Sequence, residues 1–257
     1  MRPDDEPTDP DVEARVRAWR HGAHARICDV LEPWTHGTVV RASRYPSYYD
    51  FNVVRVEDDP GMSVPALAAF ADDALSGLAH RRVDFDDAGA AAALRRGFVA
   101  EGWRAMRLLW MRHEPPAPPA PDLAVEEVPY DAVHELRATW LREKGFGERD
   151  AAGYHAQSRE VALLRGARVL ALHVARAPVA FAQLERDGAA AEITQVYVRP
   201  DNRGGGRGTA MTRAAIEAAG DVRDLWIAAD DEGRPKQLYA RLCFRRAART
   251  MEFLRLP

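Results

Sequence analysis

The stretch AEITQVYVRPDNRGGGRGTAMTRAAIEAA, residues Ala191–Ala219, carries the strongest structural signal in the chain. Its first part alternates in polarity from Ile193 to Val198, which predicts a half-buried β-strand. Four glycines follow within Arg203–Gly208, and the alanine-rich run Thr209–Ala219 then predicts a helix. The first turn of a helix carries unpaired N–H groups and a partial positive charge. A strand, a glycine-rich loop and a helix in this order therefore predict a pyrophosphate site.

The glycine-rich loop excludes two common nucleotide-binding motifs. No Lys-Ser or Lys-Thr follows it, as a P-loop requires, and it lacks the G-x-G-x-x-G spacing of dinucleotide-binding folds. It instead fits R-x-x-G-x-G through Arg203, Gly206 and Gly208. Further along the chain, LYARLCF, from Leu238 to Phe244, fits a second pattern, L-Y-x-x-x-G-F, with Cys243 in place of the glycine.

These two motifs resemble the signatures of the GNAT superfamily of N-acetyltransferases, which bind acetyl-CoA, and the resemblance covers roughly Asp122 to Pro257. It implies a mixed α/β fold, with a mostly antiparallel sheet, a splayed central strand pair and flanking helices. It also implies that the loop amides hold the CoA pyrophosphate and that the preceding strand contacts the pantetheine arm. The cofactor-binding residues so implied are Val196, Tyr197, Val198, Arg203, Gly204, Gly205, Gly206, Arg207, Gly208, Thr209 and Asp230.

Acetyl transfer to an amine requires a base, because an alkylamine has a pKa near 10 and is mostly protonated at neutral pH. Glu192 lies eleven residues before Arg203, the position of the general-base glutamate in histone-acetylating members of the resembled family. Two alternatives remain open: a solvated glutamate at a strand start, and a chain of water molecules that acts as the base. Strict alternation predicts one face with Glu192, Thr194 and Val196, and the other with Ile193, Gln195 and Tyr197.

The resemblance also assigns a proton donor and an oxyanion contact. Tyr239 occupies the tyrosine of the second motif, which in many members lies beside the CoA sulfur, and a phenol can donate a hydrogen bond to a thiolate. Its alternative is an aromatic side chain that packs under the sheet. The resemblance implies that the backbone N–H of Val198, or of a neighbouring residue, donates to the thioester oxygen. Asp230 stands where many members carry an asparagine that contacts the pantetheine. A carboxylate accepts hydrogen bonds but does not donate them, so the alternative role of Asp230 is to cap the following helix.

A proline-rich segment divides the chain. HEPPAPPAPD, from His113 to Asp122, holds five prolines in ten residues and predicts an extended linker. We therefore expect domains at residues 1–112 and 122–257, joined by a linker at 113–121.

The two halves share a pattern that predicts tandem GNAT-like domains. Asp86-Asp87-x-Gly89 repeats as Asp230-Asp231-x-Gly233, and a predicted strand, Tyr49–Val56, precedes a predicted helix, Ser63–Leu78, as in the second half. The connection EDDPGM, Glu57–Met62, has one glycine and three acids, which would repel a pyrophosphate. We interpret the N-terminal half as a degenerate domain without CoA binding. Chance similarity between alanine-rich helices is the alternative.

Periodicity and turn residues predict the remaining elements of the second half. They are a strand Leu123–Val128, one or two helices within Asp131–Arg165, strands Val169–Val174 and Val179–Arg186 joined by the turn Arg176-Ala177-Pro178, a turn Asp187-Gly188, a strand Leu225–Ala229 and a last strand Met251–Leu256.

Composition restricts the class of protein. The net charge of −3 argues against a broad nucleic-acid surface, and no apolar run reaches the roughly 18 residues of a membrane helix. The acidic start MRPDDEPTDPD does not read as a signal peptide, and two lone cysteines, Cys28 and Cys243, indicate a reducing cytoplasm. No Cys/His cluster has zinc spacing, so we expect no metal. We expect a monomer or homodimer with no membrane partner.

Together these features predict an acetyl-CoA-dependent N-acetyltransferase that moves an acetyl group to a primary amine of a small molecule or peptide by direct attack in a ternary complex. A non-catalytic acyl-CoA-binding sensor is one alternative. Another is an enzyme with a different acceptor or acyl group, as in tandem members that acylate the amine of a sugar-containing thiol. The acids Asp58-Asp59 and Asp86-Asp87 favour a cationic acceptor.

Overall fold

The computed structural model describes residues 9–119 and 121–256 and divides the chain into two compact units. The acidic start MRPDDEPTDPD lies in large part outside these residues. The first unit comprises Met1–Trp110, Asp230–Glu232 and Arg246–Pro257, and the second comprises Met111–Ala229 and Gly233–Arg245. The end of the chain thus packs in the first unit, while the division at residues 113–121 stays a prediction. In the described part of the chain, no helix has the length and apolar character needed to cross a membrane.

The first unit is a mixed β-sheet flanked by helices. Its strands follow the order β1-β2-β3-β4-β11-β5, in which β3 and β4 are parallel and β4 and β11 are antiparallel. Phe253, on the last strand of the chain, stacks on Phe98 with ring centroids 4.2 Å apart and so completes this core. The elements that lie wholly or mostly in this unit are α1 Pro10–Ile27, β1 Val30–Trp34, β2 Gly37–Arg41, β3 Val53–Val56, α2 Val64–Ala74, β4 Arg81–Phe85, α3 Ala88–Ala91, α4 Arg95–Ala100, β5 Arg104–His113 and β11 Phe244–Arg255.

The second unit contains a sheet in the order β10-β9-β8-β7-β6. Only β9 and β10 run parallel, and β6 to β9 pair antiparallel. This confirms the mixed, mostly antiparallel fold. Its elements are β6 Val125–Val128, α5 His134–Glu143, α6 Glu148–Leu164, β7 Arg168–Val174, β8 Ala177–Asp187, β9 Ala190–Val198, α7 Arg207–Ala219, β10 Asp224–Asp230 and α8 Pro235–Arg241.

Each unit contains a strand–helix–strand segment in which the two strands are parallel. In the first unit the segment is β3–α2–β4, and in the second it is β9–α7–β10. Parallel neighbours require a crossover of this kind. The internal repeat inferred from the sequence is therefore present in the backbone of both units.

Two local predictions are wrong. The strand expected from Tyr49 begins only at Val53, because Tyr49–Phe51 form a 3₁₀ turn that the Asn52 side chain holds by donating to the carbonyls of Tyr45 and Tyr48. The turn expected at Arg176-Ala177-Pro178 lies one residue earlier. Ala175 and Arg176 carry the positive φ angles of 49° and 68°, Val174 pairs with Ala177, and Ala177 and Pro178 therefore belong to β8.

Candidate active site

Three consecutive glycines shape the loop before helix α7. Gly204, Gly205 and Gly206 have φ angles of 89°, 57° and 76°, a backbone region that strongly favours glycine. Gly206 is the N-cap of α7, and a glycine at this position provides no side-chain cap. Since the first-turn amides of a helix need an external partner, the loop leaves a place for an anion.

The corresponding helix of the first unit starts differently. Helix α2 has Ser63 as its N-cap, and the Ser63 hydroxyl accepts a hydrogen bond from the N–H of Ala66 at 3.4 Å. In the preceding connection, Glu57 accepts from Thr38 at 2.8 Å, and Asp59 accepts from the N–H of Gly61 at 2.9 Å. A serine side chain therefore caps the start of α2, whereas the N-cap of α7 is a glycine.

The glycines also allow two close approaches. A Cβ on Gly206 would lie 2.4 Å from the Pro121 Cγ, and a Cβ on Gly208 would lie 3.1 Å from the Leu238 Cδ1. Gly206 thus lets the end of the proline-rich segment rest on the loop, and Gly208 lets α8 pack on α7. The same segment is held along α7, because the guanidinium of Arg213 donates to the carbonyl of Ala117 at 2.6 Å.

The two loop arginines bond to protein groups. Arg203 donates from Nε to the carbonyl of Val198 at 3.0 Å and from Nη2 to Glu143 at 2.9 Å. Arg207 donates to the carbonyl of Asn202 at 3.0 Å. Both side chains therefore brace the loop, and a pyrophosphate would compete with these contacts for their charge.

The strand before the loop leaves backbone groups on an open edge. The pairs between β9 and β10 run from Ala190–Asp224 to Ile193–Ile227, and no pair follows in the described remainder of these strands. On the other side, Arg199 donates its N–H to the carbonyl of Val179 at 2.9 Å. Backbone groups alternate in direction along a strand, so those of Val196 and Val198 point away from β8, toward the gap. The expected splay of the central strand pair is present.

A β-bulge changes the faces expected for β9. Gln195 pairs with Gln183, but Ile193, not Thr194, pairs with the next residue Leu184, and Glu192 pairs with Glu185. The extra residue is Thr194. Directly opposed residues share a face, so Glu192 lies on the face of Gln195, and Ile193 lies on the other face. The predicted grouping of Glu192 with Thr194 and Val196 is therefore wrong.

The face that carries Glu192 contains a buried polar cluster that the sequence did not indicate. Glu185 is 3% exposed, pairs with Arg165 at 2.5 Å and accepts from Gln183 at 2.7 Å. Burial raises the pKa of Glu185 against the opposing effect of Arg165. Arg137 from α5 also contacts the Gln195 side chain and lies over the Tyr130 ring at 4.0 Å. Isolated charges on helices and strands usually mean solvent exposure, so no sequence signal singles out this cluster.

Glu143, at the end of α5, is a second residue that sequence reasoning missed. Its carboxylate accepts from the Tyr197 hydroxyl at 2.7 Å and from Arg203 at 2.9 Å. Burial raises the pKa of Tyr197, and the hydrogen bond to Glu143 adds to the effect. One carboxylate therefore links α5, strand β9 and the glycine-rich loop. On the same helix, Trp140 packs against the core around Tyr130.

Tyr239 lies on α8 and is 6% exposed. Burial raises the pKa of its phenol, and its ring centroid is 6.1 Å from that of Phe244. The protonated form that a general acid requires is thus favoured, while the burial also fits the packing alternative. Cys243 has a φ angle of 63°, which explains why the corresponding position of the motif is usually glycine.

Asp230 is placed in the first unit rather than with the loop. Its Oδ1 accepts a hydrogen bond from the N–H of Glu232 at 2.9 Å. The carboxylate therefore has a local role at the end of β10.

Comparisons with known proteins agree with this geometry. Residues 131–243 match the model of the Acetyltransferase (GNAT) family. A comparison with curated proteins finds no match.

Three solved structures resemble the chain in fold. A functionally unknown conserved protein from Staphylococcus epidermidis is 15% identical with a TM-score of 0.71, over 89% of this chain and 94% of that one. A GCN5-related N-acetyltransferase from Kribbella flavida is 17% identical with a TM-score of 0.55, over 94% of each chain. A GCN5-related N-acetyltransferase from Sphaerobacter thermophilus is 16% identical with a TM-score of 0.50, over 86% of this chain and 77% of that one.

Proposed function

We propose that the chain is an acetyl-CoA-dependent N-acetyltransferase whose acceptor is a primary amine of a small molecule or peptide. The observation that carries the proposal is the uncapped start of α7 after Gly204–Gly206, next to the open edge of β9. Acetyl-CoA would supply the acetyl group as an activated thioester. The loop, the strand edge and the polar face of the sheet would bind and orient the two substrates.

The binding residues follow from the backbone geometry. The amides from Gly204 to Thr209 would hold the pyrophosphate, because they start a helix that no side chain caps. The backbone groups of Val196 would bind the pantetheine arm and the N–H of Val198 would meet the thioester, because they point into the gap between β9 and β10, while the Val198 carbonyl accepts from Arg203. We place no coenzyme in the first unit, where Ser63 closes the corresponding helix.

The catalytic roles require three groups. Glu192 would take a proton from the amine, and the N–H of Val198 would stabilise negative charge on the thioester oxygen. Tyr239 would donate a proton to the departing sulfur, since its phenol remains protonated at neutral pH. Direct attack of the amine on the thioester carbon, with both substrates bound, needs no covalent enzyme intermediate.

The acceptor would meet a face with several carboxylates. Glu192 and Glu185 are directly opposed on β9 and β8, and Glu143 lies at the end of the helix that covers this face. Arg165 pairs with Glu185 and Arg203 pairs with Glu143, so two of these carboxylates are already compensated and the face by itself does not select the charge of the amine. A non-catalytic acyl-CoA-binding sensor is the second candidate, and the burial of Tyr239 is the observation that favours it.

The test is a transfer assay on the full chain with acetyl-CoA and a panel of cationic, neutral and acidic primary amines, followed through release of the CoA thiol and the acetylated product. The variants Glu192→Gln and Tyr239→Phe keep the shape of each side chain. Each should lower kcat by about 10²-fold to 10⁴-fold, the usual contribution of a positioned acid or base, with acetyl-CoA affinity unchanged. Acetyl-CoA binding without transfer to any amine would favour the sensor. Transfer unaffected by Glu192→Gln would remove that residue as the base.

A further inference from the structure

The first unit contains a cavity that the proposed reaction does not use. Its volume is about 620 Å³, within the range of small-molecule sites. Helix α1, the segment after β4, and strands β5 and β11 all contribute to its wall. Five arginines line it: Arg17, Arg20, Arg107, Arg246 and Arg249.

Buried carboxylates orient these arginines. The Asp86 side chain is 1% exposed and lies 2.6 Å from Arg20, 2.7 Å from His21 and 3.9 Å from Arg17. The Asp231 side chain is 2% exposed and lies 2.8 Å from Arg107 and 2.9 Å from Arg249. Each buried carboxylate thus holds two guanidinium groups from behind.

The arginines, unlike the buried carboxylates, reach the solvent side of the cavity. The side chains of Arg17, Arg107 and Arg249 are 50%, 37% and 29% exposed. A guanidinium has five N–H donors, and an ion pair with one carboxylate uses at most two or three of them. N–H donors that the buried acids do not use therefore remain for an incoming oxyanion.

The charge balance also favours an anion. The other acids of the wall are Glu13 and Asp87, and Asp87 accepts from the N–H of Gly89 at 2.8 Å as the cap of α3. Five guanidinium groups of the wall thus meet three carboxylates of the wall and the buried Asp231 that lies behind it. Because the carboxylates of Asp86 and Asp231 are shielded from solvent, the solvent-accessible part of the wall carries more positive charge than the full set of charged groups.

A tryptophan lies against two residues of the wall. The Arg20 guanidinium lies 5.7 Å from the ring centroid of Trp110, and the Trp110 indole donates to the Thr250 hydroxyl at 3.3 Å. Arg20 and Thr250 both line the cavity. A ligand that contacts either residue would change the surroundings of this indole.

We propose that this cavity is a binding site for a small molecule with carboxylate or phosphate groups, held by Arg17 on α1 and Arg107 on β5. The first unit, whose α2 start is closed to a pyrophosphate, is then a second ligand-binding module.

The test is isothermal titration calorimetry of the full chain with citrate and with inorganic phosphate at constant ionic strength, in parallel with tryptophan fluorescence. The variants are Arg17→Gln and Arg107→Gln. The control is Arg96→Gln, an exposed arginine on α4 that does not line the cavity. Arg17 is 3.9 Å from Asp86, which retains Arg20 and His21, so this variant tests the site even if Arg107→Gln lowers the yield of folded protein.

The proposal predicts saturable binding of at least one probe with a change in fluorescence, weakened about tenfold in each cavity variant and unchanged in Arg96→Gln. Citrate binding alone would identify a carboxylate ligand, and phosphate binding alone a phosphorylated one. Absence of saturable binding for both probes would overturn the proposal. Binding that survives both cavity variants would also overturn it, because the probe would then bind elsewhere on the chain.

Discussion

Replacement of Gly206 by alanine should destabilise the chain more than the same replacement two residues earlier. Both glycines have positive φ angles, 76° at Gly206 and 89° at Gly204, which would cost an alanine roughly 1–2 kcal/mol. At Gly204 the new Cβ would meet nothing within 4 Å, but at Gly206 it would lie 2.4 Å from the Pro121 Cγ. Overpacking of this kind costs about 1–3 kcal/mol in addition.

The assay is thermal unfolding of the full chain followed by circular dichroism. An extra 2 kcal/mol lowers the melting temperature of a chain of this size by about 4–8 °C, so Gly206→Ala should melt that much below Gly204→Ala. Adding Pro121→Ala removes the Cγ atom and should recover part of the loss in Gly206→Ala but not in Gly204→Ala. Equal melting temperatures for the two alanine variants, with no rescue, would show that Pro121 does not rest on the loop.

Three further predictions concern the charged groups. Glu185→Ala should cost about 3–5 kcal/mol of unfolding free energy, because it removes the carboxylate that compensates buried Arg165. The double variant Glu185→Leu with Arg165→Met should restore most of this loss. Urea unfolding measures both effects. Burial lowers the pKa of His80 from 6.5 to about 4, so the stability that its neutral form contributes is complete above pH 6.5. As the pH falls from 6.5 toward 4, this stability is lost by at most about 1.4 kcal/mol per pH unit. His80→Gln should flatten this dependence, and equal curves of unfolding free energy against pH for both proteins would contradict it. Glu143→Gln should strengthen acetyl-CoA binding about two- to fivefold, because Arg203 would lose the carboxylate that competes with the pyrophosphate. Weaker binding of acetyl-CoA to this variant in calorimetry would exclude such competition.

The local elements of the second unit were predictable because each has a local cause. The helix start after Gly206 follows from glycines that favour positive φ, and the strand before it follows from alternating polarity. Helix α7 begins at Arg207, two residues before the predicted start, because Gly206 is its N-cap. The fold class follows from the order of these elements.

The features that the sequence did not predict depend on partners distant along the chain. The bulge at Thr194 exists only relative to the pairing of β9 with β8, so alternation along β9 alone assigned Glu192 to the wrong face. The last strand packs against Phe98 in the first unit, a contact between residues far apart in sequence. No residue spacing indicates either relationship.

The candidate site was predictable in its backbone part and not in its side-chain part. Glycine motifs mark the loop, but the bridge of Glu143 to Tyr197 and Arg203 joins a helix to a strand and a loop through a carboxylate that resembles any surface glutamate. The buried pair of Arg165 and Glu185 is equally inconspicuous in the sequence. Charged residues are identified as buried only when the packing around them is known.

Calorimetric titration of the full chain with acetyl-CoA tests the central claim most directly, beside Gly204→Glu and its matched control Gly204→Gln. The two variants share the backbone strain of φ 89° and the open space around the new side chain, and they differ only in charge. A carboxylate beside a bound pyrophosphate should cost about 1–3 kcal/mol, so we expect a single site that Gly204→Glu weakens roughly 10- to 100-fold relative to Gly204→Gln. Equal affinities in the two variants, or no binding by the wild-type chain, would contradict a coenzyme site at this loop.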